Sequence, residues 1–314
     1  MSNPSWRIVF FGTPSFALPP LETLTQGSDE VIGVVTQPDR EKGRGRKVIA
    51  SPVKEVALQK GLSILQPEKV KEVSFQEKLK GLGADLFVVA AYGQILPKTL
   101  LSLPKYGAMN IHASLLPKYR GSAPIAWAIL NGEKKTGITT MLMDEGMDTG
   151  DILLQSEIPI HDDETTETLQ GRLASLGAQL LSETLEKMKK REIRLTPQDH
   201  SKATYAPMLK KEDGQIEWTR GAEEIDRQVR AFHPWPGAYT RWRGQILKIY
   251  RGEIRKGKAT GKTGTVLWAG TDFIEIETGR DSYLLKEVQL EGKKKMSVRD
   301  FLSGHPIQIG EVLR

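Results

Sequence analysis

No cysteine occurs among the 314 residues of this chain. Disulfides, iron–sulfur clusters, cysteine-ligated metals and a cysteine nucleophile are therefore excluded. Histidine is also scarce: the five histidines are far apart in the sequence, and none stands in an H-E-x-x-H pattern. We accordingly predict no metal site.

Long apolar runs are missing as well, because no stretch of about 18 consecutive apolar residues, the length that crosses a bilayer, occurs. We therefore expect no association with a membrane. The first apolar run, Arg7 to Phe11, begins so near the N-terminus that we expect neither a signal peptide nor a transit peptide. The sequence thus predicts a cytoplasmic protein.

Three common motifs of nucleotide and acyl chemistry are incomplete or absent. Gly12-Thr13-Pro14 supplies one glycine of a G-x-G-x-x-G dinucleotide loop, and the run from Gly43 to Val48 lacks the third glycine. The run from Gly252 resembles a P-loop, but Ala259 stands where Ser or Thr would hold magnesium. No G-x-S-x-G nucleophile elbow occurs. We expect neither NAD binding, nor nucleotide hydrolysis, nor a serine hydrolase.

The composition is typical of a globular protein, with 39% apolar and 27% charged residues, and the chain is long enough for two domains. The net charge is +6, and the excess lies towards the C-terminus. From residue 205 onward there are 20 Lys and Arg against 15 Asp and Glu, whereas the remainder has 25 against 24. A basic excess favours an acidic partner such as nucleic acid, although an excess of this size is also ordinary.

Short apolar runs alternate with helix-like segments up to about residue 191. This alternation predicts an α/β domain over residues 1–191, with a doubly wound, mostly parallel, Rossmann-like sheet. Strands are predicted at 7–11, 31–36, 86–92, 108–112, 136–143 and 152–160. Helices are predicted at 16–24, 53–60, 76–82 and 124–130, with a long helix from about 166 to 191.

From residue 192 onward the predicted elements differ in type and spacing from those before it. Residues 192–211 show no clear period and predict a linker. Over residues 212–314 one short helix is predicted at 222–232, and strands are predicted at 247–251, 264–268, 273–277 and 283–288. Short strands at roughly ten-residue spacing indicate a small, OB-like β-barrel domain.

The most informative stretch is N-I-H-A-S-L-L-P, from Asn110 to Pro117. It begins in the fourth predicted strand, at 108–112, and continues into the loop that follows. Residues two apart in a strand point to the same face, so Asn110 and His112 are predicted to lie side by side. An amide and an imidazole together can polarise a carbonyl and move a proton without a metal or a covalent nucleophile. The alternative is that both side chains are merely hydrogen-bonded at a strand end.

A second loop, D-E-G-M-D-T-G-D from Asp144 to Asp151, follows the next predicted strand. Ligands of open α/β sheets bind outside the carboxyl ends of the strands, so this loop and the loop after His112 are predicted to meet in one crevice. An aspartate there would favour the charged imidazole and fix its orientation. The alternative is a solvated, glycine-rich turn.

Together these motifs resemble the 10-formyltetrahydrofolate-dependent formyltransferases, over nearly the whole chain. The resemblance rests on Asn110-x-His112, on the run from Ser114 to Gly121 (S-L-L-P-K-Y-R-G) and on residues 144–150. It implies a formyltransferase-type α/β fold and a catalytic role for Asn110, His112 and Asp148. It also implies that 10-formyltetrahydrofolate is the formyl donor, held by Ser114, Leu115, Leu116, Pro117 and Asp144.

Three other segments are similar to the family members that formylate methionyl-initiator tRNA: residues 11–17, the basic loop at 38–54 and residues 234–237. The basic loop carries six Lys and Arg against two acids. The resemblance implies that this tRNA is the acceptor, that the C-terminal domain helps to bind it, that Arg44, Arg46 and Lys47 contact it, and that the protein is a monomer. From its residues alone, the loop is equally compatible with a solvated surface loop.

The chemistry that the resemblance implies is direct attack of the methionyl α-amine on the formyl carbon. Asn110 and protonated His112 would donate hydrogen bonds to the developing oxyanion, and Asp148 would stabilise the imidazolium. Three alternatives stay open. The acceptor could be a small amine such as an amino sugar or glycinamide ribonucleotide; the nucleophile could be water, as in a folate deformylase; or the chain could bind RNA without catalysis.

Overall fold

The computed structural model describes residues 4–42, 47–257 and 261–314. The chain forms two compact units that interleave along the sequence. Unit 1 contains Met1–Pro124, Lys135–Pro159 and Gln170–Ala206, whereas unit 2 contains Ile125–Lys134, Ile160–Leu169 and Pro207–Arg314. Most of the stretch predicted as a linker at 192–211 therefore belongs to unit 1.

In the residues that the structure describes, unit 1 contains nine strands. They are β1 (Arg7–Gly12), β2 (Glu30–Val35), β3 (Arg40–Lys42), β4 (Lys47–Ile49), β5 (Ile64–Leu65), β6 (Leu86–Ala90), β7 (Ala108–His112), β8 (Lys135–Leu142) and β9 (Ile152–Pro159). Seven of them form one sheet in the order β5-β2-β1-β6-β7-β8-β9, and β3 pairs with β4. All pairs from β5 to β7 are parallel, and β8 and β9 continue the sheet antiparallel. The predicted mostly parallel, doubly wound sheet is confirmed.

The helices up to residue 189 are α1 (Leu18–Gln26), α2 (Pro52–Gln59), α3 (Val73–Leu82), α4 (Lys98–Leu101), α5 (Pro124–Leu130) and α6 (Thr166–Lys189). Their ends follow local chemistry. Ser51 caps α2, its Oγ accepting a hydrogen bond from the Lys54 amide at 3.1 Å, and a proline occupies the first turn. Gly83, with φ of 60°, ends α3 in the left-handed conformation.

The helix α6 covers the back of the strand that carries the predicted site. A Cβ on Gly177 would lie 3.1 Å from the Ile111 side chain, so the helix backbone approaches β7 closely. Ile111 points away from Asn110 and His112 because side chains alternate along a strand. The helix therefore packs on one face of β7 and leaves the other face to the two polar residues.

Among its described residues, unit 2 holds an antiparallel sheet and two further helices. Its elements are α7 (Ala222–Ala231), β10 (Ala238–Trp242), β11 (Gln245–Arg255), β12 (Val266–Ala269), β13 (Ile274–Glu277), β14 (Ser282–Leu290), β15 (Met296–Ser297) and α8 (Val298–Gly304). The strand order is β10-β11-β14-β13-β12, with β15 on β14. Trp218, Ile225, Trp242, Tyr283 and Phe301 are among the buried side chains of its core. The predicted small β domain is confirmed as an antiparallel sheet.

The described residues form neither a membrane-spanning helix nor a cluster of metal-binding side chains. In the described part of the chain, no helix has both the length and the apolar character that spanning a membrane requires. The same residues contain no group of three or more His, Asp or Glu side chains placed to hold a metal ion.

Candidate active site

The strand β7 carries Asn110 and His112 to the carboxyl end of the parallel part of the sheet. Asn110 is half-buried, and His112 is 6% exposed. The main chain of this strand is held on both sides, because Val89 of β6 pairs with Asn110 and Thr139 of β8 pairs with His112. Both side chains thus project from a rigid element, as the alternation of the strand predicts.

One imidazole nitrogen is fixed by the main chain. The Nε2 of His112 lies 2.9 Å from the carbonyl oxygen of Tyr119, which can only accept, so Nε2 carries a hydrogen and donates it. The other nitrogen, Nδ1, lies 3.7 Å from Oδ2 of Asp148. Nδ1 is therefore the atom of His112 that is available to exchange a proton.

Asp148 lies beside both residues of the strand. Its Oδ1 is 3.4 Å from the side-chain nitrogen Nδ2 of Asn110, and its Oδ2 accepts a hydrogen bond from the backbone amide of Gly121 at 2.8 Å. Its φ of 53° lies in the left-handed region, which is uncommon for a residue with a side chain. The structure therefore brings the three predicted catalytic residues together, with an uncommon backbone conformation at the carboxylate.

The segment predicted to hold the folate is firmly built into the loop after β7. Ser114 is fully buried, and its hydroxyl donates to the carbonyl of Lys118 at 2.6 Å. The amide of Leu116 donates to the hydroxyl of Thr139 at 3.1 Å, and its carbonyl accepts from Gln155 at 2.9 Å. The side chains of Leu115 and Pro117 are half-buried, so they are the predicted folate residues of this run with surface left for a ligand.

Asp144 shapes its own loop. Its Oδ1 accepts hydrogen bonds from the backbone amide of Gly146 at 3.0 Å and from the hydroxyl of Thr149 at 2.6 Å. The next residue, Glu145, pairs with Lys98 at 2.6 Å. Gly150 closes the loop, since a Cβ there would lie 1.7 Å from the carbonyl of Leu142. The turn that ends in Asp148 is thus held from several sides.

Two of the predicted tRNA contacts, Arg44 and Arg46, lie outside the described residues. The backbone of Lys47 begins β4. Two other basic residues of the loop are already paired within the protein. Lys54 contacts Asp39 at 2.6 Å, and Arg40 contacts Glu68 at 3.1 Å.

Two residues of the site, Arg120 and Gln198, were assigned no role in the sequence analysis. Arg120 is 2% exposed, and its guanidinium donates to Gln198 through Nε at 3.2 Å and through Nη2 at 2.7 Å. Gln198 in turn contacts the loop of Asp148. It lies in a stretch without periodicity, and a partner 78 residues away leaves no local pattern. A buried arginine could have been suspected only from the family motif Tyr119-Arg120-Gly121.

This donor set has a definite chemical capacity. The amide of Asn110 and the Nδ1 of a protonated His112 can both donate to an oxygen that gains negative charge. The carboxylate of Asp148 can stabilise the imidazolium or take up a proton through a water. A site of this kind suits transfer of an acyl or formyl group to an amine.

The comparisons with known proteins agree with that chemistry. Residues 6–185 match the family described as Formyl transferase, and residues 208–306 match Formyl transferase, C-terminal domain. The chain belongs to the formyl transferase family.

Within the family, its relatives include two methionyl-tRNA formyltransferases. The protein of Citrifermentans bemidjiense is 51% identical over 307 residues, which are 98% of this chain and 96% of that protein. The protein of Caldanaerobacter subterraneus subsp. tengcongensis is 50% identical over 309 residues, 98% of this chain and 100% of that one. The fold also resembles a crystal structure of the N-formyltransferase from Helicobacter canadensis in complex with folinic acid and dTDP-3-aminofucose. That likeness has a TM-score of 0.68 and 18% identity, over 89% of this chain and 98% of that one.

Proposed function

We propose that this protein transfers the formyl group of 10-formyltetrahydrofolate to the α-amino group of methionyl-initiator tRNA, giving N-formylmethionyl-tRNA for translation initiation. The observation that carries the proposal is the full-length likeness, near 50% identity over 98% of the chain, to methionyl-tRNA formyltransferases. The clustering of Asn110, His112 and Asp148 at the sheet edge supports it.

The three clustered residues have separate roles in this proposal. The formyl donor supplies a carbonyl on nitrogen, and the amine of the acceptor attacks its carbon. Asn110 donates a hydrogen bond to the formyl oxygen, and its 3.4 Å contact with Asp148 is long enough to be exchanged for that bond. His112 donates from Nδ1, while the Tyr119 carbonyl keeps its ring in place through Nε2. Asp148 stabilises the imidazolium and orders the proton transfer to the leaving nitrogen.

The donor is held, in this proposal, by the two loops beside these residues. The half-buried side chains of Leu115 and Pro117 supply apolar surface, and the buried groups of Ser114 and Leu116 keep the loop in shape. Asp144 closes its turn, so that the backbone from 144 to 148 is presented to the pterin.

The tRNA is bound, in this proposal, through the basic loop and the C-terminal domain. We assign the phosphate contacts to Arg44, Arg46 and Lys47, the residues of the basic loop that the family resemblance implies. We further propose a monomer that works in the cytoplasm without a metal, in keeping with the family resemblance and with a charged tRNA as acceptor.

The test is to mix the pure protein with 10-formyltetrahydrofolate and each of four acceptors: methionyl-initiator tRNA, methionyl-elongator tRNA, a free amino sugar and glycinamide ribonucleotide. We expect formylation of the initiator tRNA alone. In Asn110→Ala and His112→Ala, kcat should fall roughly 10²–10³-fold, the usual cost of one lost oxyanion donor.

Three results would contradict the proposal. Formylation of a small amine alone would move the function to that acceptor. Formate release without any acceptor would make water the nucleophile. Near-wild-type kcat in both variants would remove Asn110 and His112 from the reaction.

A further inference from the structure

The segment from residue 197 to residue 206, here called the strap, pairs with the loop that follows β7. The amide of Arg120 donates to the carbonyl of Thr204 at 2.8 Å, and the amide of Ala206 donates to the carbonyl of Arg120 at 2.7 Å. The hydroxyl of Thr204 accepts from the amide of Tyr119 at 2.9 Å. The strap therefore fixes the main chain whose Tyr119 carbonyl anchors His112.

One side chain of the strap reaches the second loop of the site. The side-chain nitrogen Nε2 of Gln198 donates to the backbone carbonyl of Asp148 at 2.9 Å and to the backbone carbonyl of Gly150 at 2.7 Å. Its Oε1 accepts both contacts from the Arg120 guanidinium. The orientation of the amide is thereby set, because a flip would place Oε1 against two carbonyls and NH₂ against a guanidinium.

The imidazole of His200 completes this arrangement. Its Nδ1 lies 3.1 Å from Nη2 of Arg120, and a guanidinium can only donate. His200 is therefore an acceptor at Nδ1 and bears its hydrogen on Nε2. The guanidinium of Arg120 is thus held by two side chains of the strap.

The strap acts on Asp148 from two directions. Gln198 holds the carbonyl of a residue whose left-handed φ is unfavourable for a side-chain-bearing residue. The carboxylate is held by the Gly121 amide. Gly121 is itself fitted to the strap, since it has φ of 121° and a Cβ there would lie 2.7 Å from the Ala206 carbonyl.

We propose that Gln198 is a positioning residue for the formyl transfer: it fixes the backbone of Asp148 so that the carboxylate stays between Asn110 and His112. This proposal rests on the proposed function for its kinetic consequence. Gln198 touches no reacting atom, and it acts through Asp148. A displacement of a catalytic group by about 1 Å costs on the order of 10²-fold in rate, so the loss of Gln198 lowers kcat rather than substrate affinity.

The test compares Gln198→Met with Gln228→Met. Gln228 is a matched control in unit 2: it is 4% exposed, against 6% for Gln198, and its amide nitrogen donates to the carbonyls of Asp213 and Gln215 at 2.9 and 3.0 Å. Both variants lose two amide-to-carbonyl hydrogen bonds, and Gln198→Met also removes the acceptor of the Arg120 guanidinium, which Gln198→Glu keeps. We expect kcat to fall about 10- to 100-fold in Gln198→Met, with KM for both substrates within about threefold, and no change of kcat in Gln228→Met.

A second measurement separates positioning from general damage. In the Asp148→Asn background, Gln198→Met should lower kcat by less than about twofold more, because residues that act as a unit are not additive. If Gln198→Met does not fold, Gln198→Glu takes its place. The glutamate still accepts from Arg120 but has no hydrogens for the two carbonyls, and the same loss is expected.

A third measurement needs no activity. Amide hydrogen exchange at Gly121 should be faster in the Gln198 variant than in wild type, and unchanged in Gln228→Met. Equal kcat in both methionine variants, additive losses with Asp148→Asn, or unchanged exchange at Gly121 would each overturn the proposal. A wild-type protein without formyl transfer would overturn the proposed function instead, and the exchange measurement would still decide the role of Gln198.

Discussion

The polar side chains around Asp148 in unit 1 and those buried in unit 2 differ in how closely they are paired. In unit 2 such groups are paired at short distances: the hydroxyl of Ser282 donates to Glu275 at 2.6 Å, and the indole of Trp218 donates to Thr240 at 3.0 Å. In unit 1 the contacts of the Asp148 carboxylate with Asn110 and His112 are 3.4 and 3.7 Å. The carboxylate of Asp148 is thus closely paired with the Gly121 amide, at 2.8 Å, and loosely paired with Asn110 and His112.

This difference separates structural polar groups from chemically available ones. A buried group with a short, well-directed partner has used its hydrogen-bonding capacity and contributes to stability. A loosely paired group can exchange its contact for one with a ligand, at the cost of a less stable free protein. Substitution of Asp148 should therefore affect rate more than stability, and substitution of the buried polar groups of unit 2 should do the reverse.

The largest effect is expected for Asp148→Asn. The amide keeps the size of the side chain and an oxygen for the Gly121 amide, but it removes the charge beside His112. We expect kcat to fall about 10²–10⁴-fold, the usual contribution of acid–base catalysis, with little change in the urea midpoint. Single-turnover formylation and urea titration measure the two quantities. A large loss of stability with a normal kcat would place Asp148 among the structural groups.

The counterpart in unit 2 is Tyr283→Phe. The fully buried hydroxyl donates to Oδ1 of Asp226 at 3.2 Å. Burial, with the Asp226 carboxylate beside it, raises the pKa of Tyr283 well above its ordinary value, so the phenol stays protonated and donates. Loss of a hydrogen bond to a charged group should lower the free energy of unfolding by about 1.5–3 kcal/mol and leave kcat unchanged.

Tryptophan fluorescence can follow this unfolding, because five of the six tryptophans lie in unit 2. Tyr250→Phe is the matched control. Its hydroxyl donates to the neutral Gln289 at 2.7 Å, so a smaller loss of about 0.5–1.5 kcal/mol is expected. A fall in kcat for Tyr283→Phe would break the division between the two units.

How far the sequence predicts each unit depends on whether the signal is local. The β6 run L-F-V-V-A is apolar throughout because all five residues are buried, and that pattern predicted a parallel, doubly covered strand. The period of two in β7 likewise predicted that Asn110 and His112 share a face. The helix α8, seven residues from Val298 to Gly304, is too short to show a period and was not predicted.

The supports of the site could not be predicted for a different reason. Arg120 and Gln198 are 78 residues apart, and their contact arises from a parallel bridge between Arg120 and Tyr205 in otherwise irregular chain. Nothing in the composition of residues 192–211 distinguishes a strap from a linker. The basic loop could not be fully predicted for the same reason. A count of charges along the sequence includes Lys54 among the positive charges of the loop, but in the structure Lys54 is paired with Asp39.

The smallest predicted effect is pH-dependent and belongs to Glu311 in unit 2. Hydrogen bonds from Arg243, from the amide of Gln308 and from the indole of Trp242 lower the pKa of Glu311 below its ordinary value. A carboxylate with a lowered pKa stabilises the folded state above its unfolded pKa of about 4.3, and this contribution is lost as pH falls through the folded value. Glu311→Gln should therefore cost about 1 kcal/mol at neutral pH and progressively less below about pH 4.

Urea titrations of wild type and Glu311→Gln between neutral pH and the acid limit of folding would measure this difference. Glu217→Gln is the control, because Glu217 pairs with Arg220 at the surface, and exposed pairs contribute little to stability. A difference between wild type and Glu311→Gln that stays constant with pH would mean that the shape of the side chain, rather than its charge, joins Glu311 to Trp242 and Arg243. In that case the short polar contacts of unit 2 would stabilise the fold through side-chain packing. A short distance between two polar groups would then not show that their charge contributes to the free energy of unfolding.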